Sequence, residues 1–294
     1  MPHKLGAYQS DLTAPKDLLD FWLTRFPRLY LSIEEHREWQ NWDKRVYLSV
    51  IERGDTVIDV GANVGAHTVA FSHIVGSNGK VFSIEPVEAN YVRLASTVRR
   101  RTRFTNTILI KAAVGLPARP GQSVIVRVPG DDFTQAALVA HTEGSWRSGQ
   151  NVREYHTVLT SVDAEVERAR PTRVDFLKID VEGGELDVVK GAANTLKQFL
   201  PLVYCEVYEK WAESFGYTPL TLFSLVRDLG YTESRIIRDG RVNAIRLGDK
   251  VPTNLFRESA DVLFAAPHHS ARMRRFDVRY HAVNRGNGDL DDSR

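Results

Sequence analysis

The sequence predicts an α/β protein built on an open, mostly parallel sheet, and three stretches carry that prediction. Thr56 to Val60 is a short β-branched run that ends in a glycine-bearing turn, after which Val64 to Val75 repeats apolar residues at helical spacing. Lys80 to Pro86 reads as a second buried strand whose last strand residue, Glu85, is an acid. Val174 to Asp180 is a third, followed by the Gly183-Gly184 pair and a helical pattern from Leu186 to Phe199. Strand, turn and helix repeated in this way bring the strand ends to one edge of a sheet, where open α/β folds bind ligands.

The elements follow in order. Residues 1–52 form a helical extension, with helix-like spacing over Pro15 to Phe26 and Ile33 to Glu52. Its aromatics Trp22, Phe26, Tyr30, Trp39 and Trp42 either pack on the sheet, the commoner use of buried rings, or line a pocket. The main domain spans 53–267. Gly76 to Gly79 closes its first helix, and Val87 to Arg101 is a second, with Tyr91, Leu94 and Val98 facing inward. Arg99, Arg100 and Arg101 complement the dipole at its end. Thr107 to Val114 is the next strand.

From about residue 121 to 162 the pattern changes to two alternating runs, Ser123 to Val128 and Val152 to Val162. They predict an inserted β-hairpin, with the Gly/Ser-rich Gly144 to Asn151 as a loop able to cover the site. His141 and His156 lie in this insertion and receive no catalytic role. Leu202 to Val207 is a further strand and Pro219 to Leu229 a further helix. Glu233 to Ile237, Arg241 to Leu247 and Asp261 to Ala266 are strand candidates, the last two expected as an antiparallel edge hairpin. Residues 268–294 are expected to be a polar tail that frays, with Arg272 to Arg279 as a solvated face.

Composition narrows the class. Lys and Arg number 39 against 37 Asp and Glu, a net charge of +2, which gives no global attraction for nucleic acid. Cys205 is the single cysteine, so an intrachain disulfide is excluded, and its apolar setting predicts a buried thiol in a reducing compartment. No apolar window reaches the length of a membrane span, and the N-terminus lacks a signal-peptide pattern. The expectation is a cytoplasmic protein, with self-association left open.

The turn after the first strand reads Asp59-Val-Gly61-Ala-Asn63-Val-Gly65. A dinucleotide fingerprint beginning at Gly61 would need glycines at Asn63 and Ala66, so NAD is disfavoured. An acid at the strand end would repel a pyrophosphate but can bind the ammonium of a methionine moiety. Glu85 stands 20 residues beyond Gly65, the spacing at which nucleotide-binding α/β folds place a carboxylate on ribose hydroxyls. Asp180, Glu182 and Glu206 end or follow strands at the same edge and are expected to converge.

Taken with Ile-Glu-Pro at 84 to 86, Lys-Ala-Ala-Val-Gly at 111 to 115, Lys-Ile-Asp-Val-Glu-Gly-x-Glu at 178 to 185 and Cys-Glu-Val at 205 to 207, the sequence resembles the FkbM family of methyltransferases over roughly residues 50–266. The resemblance implies a Rossmann-like class I methyltransferase fold with a seven-stranded, mostly parallel sheet and an antiparallel edge strand. It implies S-adenosylmethionine as donor and O-methylation of a hydroxyl on a sugar, glycan, glycolipid or secondary metabolite. Asp59, Gly61, Asn63, Gly65, Glu85, Ala113 and Asp180 are assigned to the cofactor. Asp180 or Glu182, assisted by Glu206 or His67, is assigned to deprotonation. A divalent metal on the carboxylates is left open, with no third ligand evident from sequence. Methylation of RNA or of a nitrogen acceptor, and cofactor binding without catalysis, are the alternatives.

Overall fold

A computed structural model describes residues 42–117, 119, 121–141, 146 and 151–287, together with Phe26. The helix expected over residues 15–26, most of the extension's aromatics and most of the loop at 144–151 therefore lie outside the described residues.

The chain enters on α1 (Trp42–Val50), turns at Gly54, and forms β1 (Thr56–Val60), α2 (Ala66–Val75), β2 (Lys80–Ile84), α3 (Glu88–Arg101) and β3 (Thr107–Ile110). The strand expected over 107–114 breaks in two. After β3 the chain leaves the main sheet, and β4 (Ala113–Val114) joins the insertion instead, pairing in parallel with β6 (Val152–Thr160). The expected hairpin is present: β5 (Ser123–Pro129) runs antiparallel to β6, giving a three-stranded sheet β4-β6-β5.

Next come α4 (Val162–Ala169), capped by the Ser161 hydroxyl, and β7 (Phe176–Ile179). The helix expected over 186–199 divides into α5 (Glu185–Lys190) and α6 (Ala193–Phe199) at Gly191, where a Cβ would stand 2.1 Å from the Gly115 carbonyl oxygen. The chain continues through β8 (Leu202–Val207), α7 (Glu209–Ser214), α8 (Pro219–Asp228), β9 (Glu233–Arg238), β10 (Arg241–Arg246), β11 (Ala260–Ala265) and α9 (Ser270–Asn287).

The main sheet has eight strands, one more than expected, in the order β10-β9-β11-β8-β7-β1-β2-β3. The hairpin pairs β9 with β10, not the last two strands, because Asp239-Gly240 supplies two positive-φ residues to a two-residue turn. β11 then inserts antiparallel between β8 and β9. Neighbouring strand residues alternate between two apolar clusters: Ile58, Leu177 and Val203 face one, Val57, Phe176 and Leu202 the other. The sheet is thus covered on both faces.

The C-terminal stretch up to residue 287 corrects the expectation of a polar tail, and residues 288–294 of the expected fraying end lie outside the described residues. Residues 270–287 are an 18-residue helix, and Met273, Phe276 and Tyr280 are buried in the cluster that holds Val46 and Tyr47 of α1. The arginines expected on a solvated face clamp α1 by its end: Arg272 donates to the Val50 carbonyl at 3.1 Å and Arg279 to the Leu48 carbonyl at 2.8 Å. Among the described residues no helix is long and apolar enough to cross a membrane.

Candidate active site

The β1 turn is shaped by three left-handed residues, Gly61 (φ 77°), Asn63 (φ 49°) and Gly65 (φ 94°). Gly61 is required by contact as well as by φ, since a Cβ there would lie 1.8 Å from the Asp180 backbone oxygen. Gly65 caps α2, and its Cβ would press to 2.8 Å on Leu94 of α3. It serves helix packing and is not among the residues that line the cavity beside it. Glu85 sits at the end of β2, where its two oxygens accept the Asn63 and Val87 amides, both at 2.9 Å. Burial pushes its carboxyl up to about 7 against those hydrogen bonds.

These residues open onto a cavity of about 650 Å³. Gly61, Asn63, Glu85, Ala112, Ala113 and Asp180 line it, and Phe133, Ala136 and Leu138 of the insertion form its far wall. The insertion therefore covers this cavity. The apolar flank and a buried strand-end carboxylate suit a nucleoside-bearing cofactor.

Asp59 does not line this cavity. Its side chain is fully buried behind the turn, accepting the Thr68 hydroxyl at 2.7 Å and standing 3.7 Å from Lys178 Nζ. The assignment of Asp59 to the cofactor ammonium is not where the fold puts its carboxylate. Its partners make it a brace between the first turn of α2 and β7.

A second cavity, about 500 Å³, lies on the other side of Asp180. Asp43, Tyr47, His67, Lys178, Tyr204, Glu206 and Asp261 share its lining with Asp180. Lys178 Nζ donates to Asp180 at 3.0 Å, and the Tyr47 hydroxyl is 3.0 Å from His67 Nδ1. Tyr204 donates to Asp43 at 2.7 Å, and Ser259 to Glu206. Burial alone would raise Asp180, but the Lys178 ammonium beside it holds its carboxyl below the usual range. Burial and the Asp180 charge push Glu206 up to about 8. Burial, with Glu206 and Asp180 adding to it, raises Glu182 as well. Burial and the Lys178 charge keep His67 neutral, below its ordinary value. Carboxylate atoms of Asp180, Glu182 and Glu206 come within 4.8 Å of one another, as the strand ends promised.

The sequence matches the methyltransferase FkbM domain over residues 59–233. The chain belongs to the FkbM methyltransferase family. A relative, the hexuronic acid methyltransferase AglP of Haloferax volcanii, is 30% identical over 165 residues, which cover 56% of this chain and 60% of that protein. Among solved structures, an FkbM methyltransferase from Methylobacillus flagellatus aligns at 18% identity and TM-score 0.44 over 84% of this chain and 52% of that one. A putative rRNA-methylase from Clostridium thermocellum aligns at 12% and TM-score 0.45 over 78% and 97%.

Several residues of this FkbM-family site escaped the sequence reading. Lys178 is two residues before Asp180 on one strand, so period-2 alternation turns both the same way; that signal was available. Asp43, Tyr47, Tyr204 and Asp261 come from α1, β8 and β11, and nothing local marks them. Glu182 adopts φ 55°, a left-handed conformation unusual for its type, and its Oε2 is buried without a hydrogen-bond partner. His141 braces that turn, 2.8 Å from the Glu182 carbonyl and stacked on Trp211.

Glu185 holds the same turn from inside, accepting the Gly183 amide at 3.0 Å and the Tyr217 hydroxyl at 3.0 Å, and burial pushes it up to about 7. Glu85, Glu185 and Glu206 are all raised above their unfolded values, so each contributes stability in the protonated form that is lost as pH rises through the folded pKa. The ligand-free protein should therefore lose Tm from pH 4.5, the ordinary value of these carboxyls, to about 8 in a thermal melt. A Tm that rises across this window would contradict the burial of these groups.

Proposed function

We propose that this protein is an S-adenosylmethionine-dependent O-methyltransferase acting on a hydroxyl of a sugar, glycan, glycolipid or secondary metabolite. The observation that carries the reading is Asp180, which lines both cavities. A cofactor in the first and an acceptor in the second would meet there for in-line displacement.

The cofactor fits the first cavity by the chemistry of its lining. Glu85 would accept the ribose hydroxyls, Ala112 and Ala113 would flank the adenine, and the Gly61 to Asn63 turn would close on the methionine end. S-adenosylmethionine supplies the methyl group and an electrophilic sulfonium, so the protein's main task is alignment. The new O–C bond forms as the S–C bond breaks, leaving a neutral thioether, and the hydroxyl proton must go to the protein. Asp180, kept ionised by Lys178, would receive the acceptor's hydrogen bond. Glu206, poised near about 8, has the better match to a proton acceptor at neutral pH, and the two act as one coupled pair. His67 is more suited to donation: a buried Tyr47 hydroxyl that gives its proton to Nδ1 leaves the ring proton on Nε2.

A divalent cation also fits, because Asp180, Glu182 and Glu206 offer three oxygen ligands and Glu182 Oε2 has no other partner. When bound, such an ion would lower the pKa of a coordinated hydroxyl.

Titration calorimetry with S-adenosylmethionine and transfer of a radiolabelled methyl group to candidate glycans test the proposal. Glu85→Ala should weaken cofactor binding by about tenfold or more, since it removes a charged hydrogen-bond acceptor. Wild-type affinity in that variant would sink the cofactor placement.

A further inference from the structure

Resting on the reading of Asp180, Glu182 and Glu206 as a trio that can hold a divalent cation, we propose that His141 of the insertion is a positioning residue for that trio. Its ring pins the Glu182-Gly183 peptide so that the Glu182 carboxylate reaches the other two.

Glu182 is the member of the trio that its strand does not place. Asp180 directly follows β7 and Glu206 lies within β8, whereas Glu182 stands in the turn before α5 at φ 55°. A left-handed φ is costly for a residue with a Cβ, and it aims the side chain elsewhere than an ordinary turn conformation would. In this conformation a Glu182 carboxylate oxygen comes within 4.8 Å of one from Asp180 and one from Glu206.

The peptide that follows Glu182 is clamped at both of its polar atoms. On one side the Gly183 N–H donates to Glu185 of α5 at 3.0 Å. On the other, the Glu182 carbonyl stands 2.8 Å from His141 Nε2. A carbonyl only accepts, so His141 carries a proton on Nε2 and donates it there. Glu185 belongs to the helix that the turn leads into. His141 arrives from 41 residues away, so it is the half of the clamp that the turn's own sequence does not supply.

His141 is itself held in place. Its ring stacks on Trp211 of α7 with 5.4 Å between centroids and meets Trp146 edge-on at 5.6 Å. The segment that carries it is tied at its start, where Asn90 donates to the Phe133 carbonyl at 3.1 Å. It is tied again where Arg127 and Ala137 exchange backbone hydrogen bonds and the Arg127 guanidinium donates to the Leu138 carbonyl at 3.0 Å. Phe133, Ala136 and Leu138 of this segment wall the first cavity. The segment that covers the cofactor cavity therefore ends by setting a carboxylate of the trio.

The test compares full chains with S-adenosylhomocysteine bound. His141→Phe keeps a ring against Trp211 but has no donor, and the amide of His141→Gln can restore the donor. Crystal structures should show residue 182 leaving its left-handed φ in His141→Phe, its carboxylate parting from Asp180 and Glu206, and both returning in His141→Gln. Mn²⁺, titrated by calorimetry as a probe of the trio, should bind about tenfold or more weakly to His141→Phe, with most of the loss recovered in His141→Gln. In a Glu182→Gln background His141→Phe should cost nothing further, because it acts through that side chain. Nitrogen NMR of the wild-type imidazoles reads the tautomer even if a variant fails to fold, and the His141 signal should show the proton on Nε2. Glu182 unmoved in His141→Phe, a loss that His141→Gln does not rescue, a second full loss in the double variant, or a His141 proton on Nδ1 alone overturns the proposal. Wild-type protein that binds no Mn²⁺ defeats the cation reading beneath it, and the variant structures and the tautomer still decide the positioning.

Discussion

Asp180→Asn should lower kcat by about 10² to 10⁴ while leaving S-adenosylmethionine affinity within a few fold of wild type. The substitution keeps the shape of the residue and an oxygen for Lys178, which lies 3.0 Å away, but removes the charge that takes the hydroxyl's hydrogen bond. Glu206→Gln removes the other half of the proton-sharing pair and should also depress kcat, shifting the alkaline limb of the pH profile. The pair predicts non-additivity: the double variant should be little worse than the poorer single one. Single-turnover methyl transfer with saturating cofactor reads this directly. Full activity in Asp180→Asn would remove it from the reaction, and strictly additive losses would separate it from Glu206.

Gly61→Ala should have the largest structural effect of any single change in the site. Its Cβ would meet the Asp180 carbonyl at 1.8 Å, and the atom in the way is backbone, held in the sheet where β1 pairs with β7. No side-chain rotation relieves such a contact, so either the two strand ends part or the turn refolds. The left-handed φ of 77° adds its own penalty. A loss of about 3 kcal/mol or more is expected, combining backbone strain with overpacking, together with loss of cofactor binding. Gly54→Ala is the control, because Gly54 has φ 87° but nothing within 4 Å of the added atom. It should cost only about 1 kcal/mol. Equal losses for the two in urea unfolding would show that φ, not the approach of the strands, decides the glycine at 61.

How much of this was legible beforehand follows from the range of each interaction. Asp180, Glu182 and Glu206 could be placed at one edge because each belongs to a strand end, and strand ends in a parallel sheet share an edge by topology. The same logic found Glu85. It failed for Asp59, which ends β1 as expected but has its carboxylate turned away from the cavity toward Thr68 and Lys178. A strand position fixes the edge of the sheet a residue occupies; the neighbours that bury its side chain are another matter. The tail was misjudged for a related reason. Met273, Phe276 and Tyr280 are spaced for one face of a helix, yet so many arginines intervene that only the contact with α1 gives that face something to bury against.

The sequence by itself determined the class of fold, the left-handed turn after β1 and the family. These depend on local matters: apolar period, left-handed turn residues and strand-end acids. Only the tertiary structure decided which acids share a cavity. Tyr204 and Asp43 are 161 residues apart in sequence and 2.7 Å apart in space, and Asp261 reaches them from an antiparallel strand threaded between two others. The balance of charge in the second cavity is set by such long-range meetings, and no local pattern encodes it.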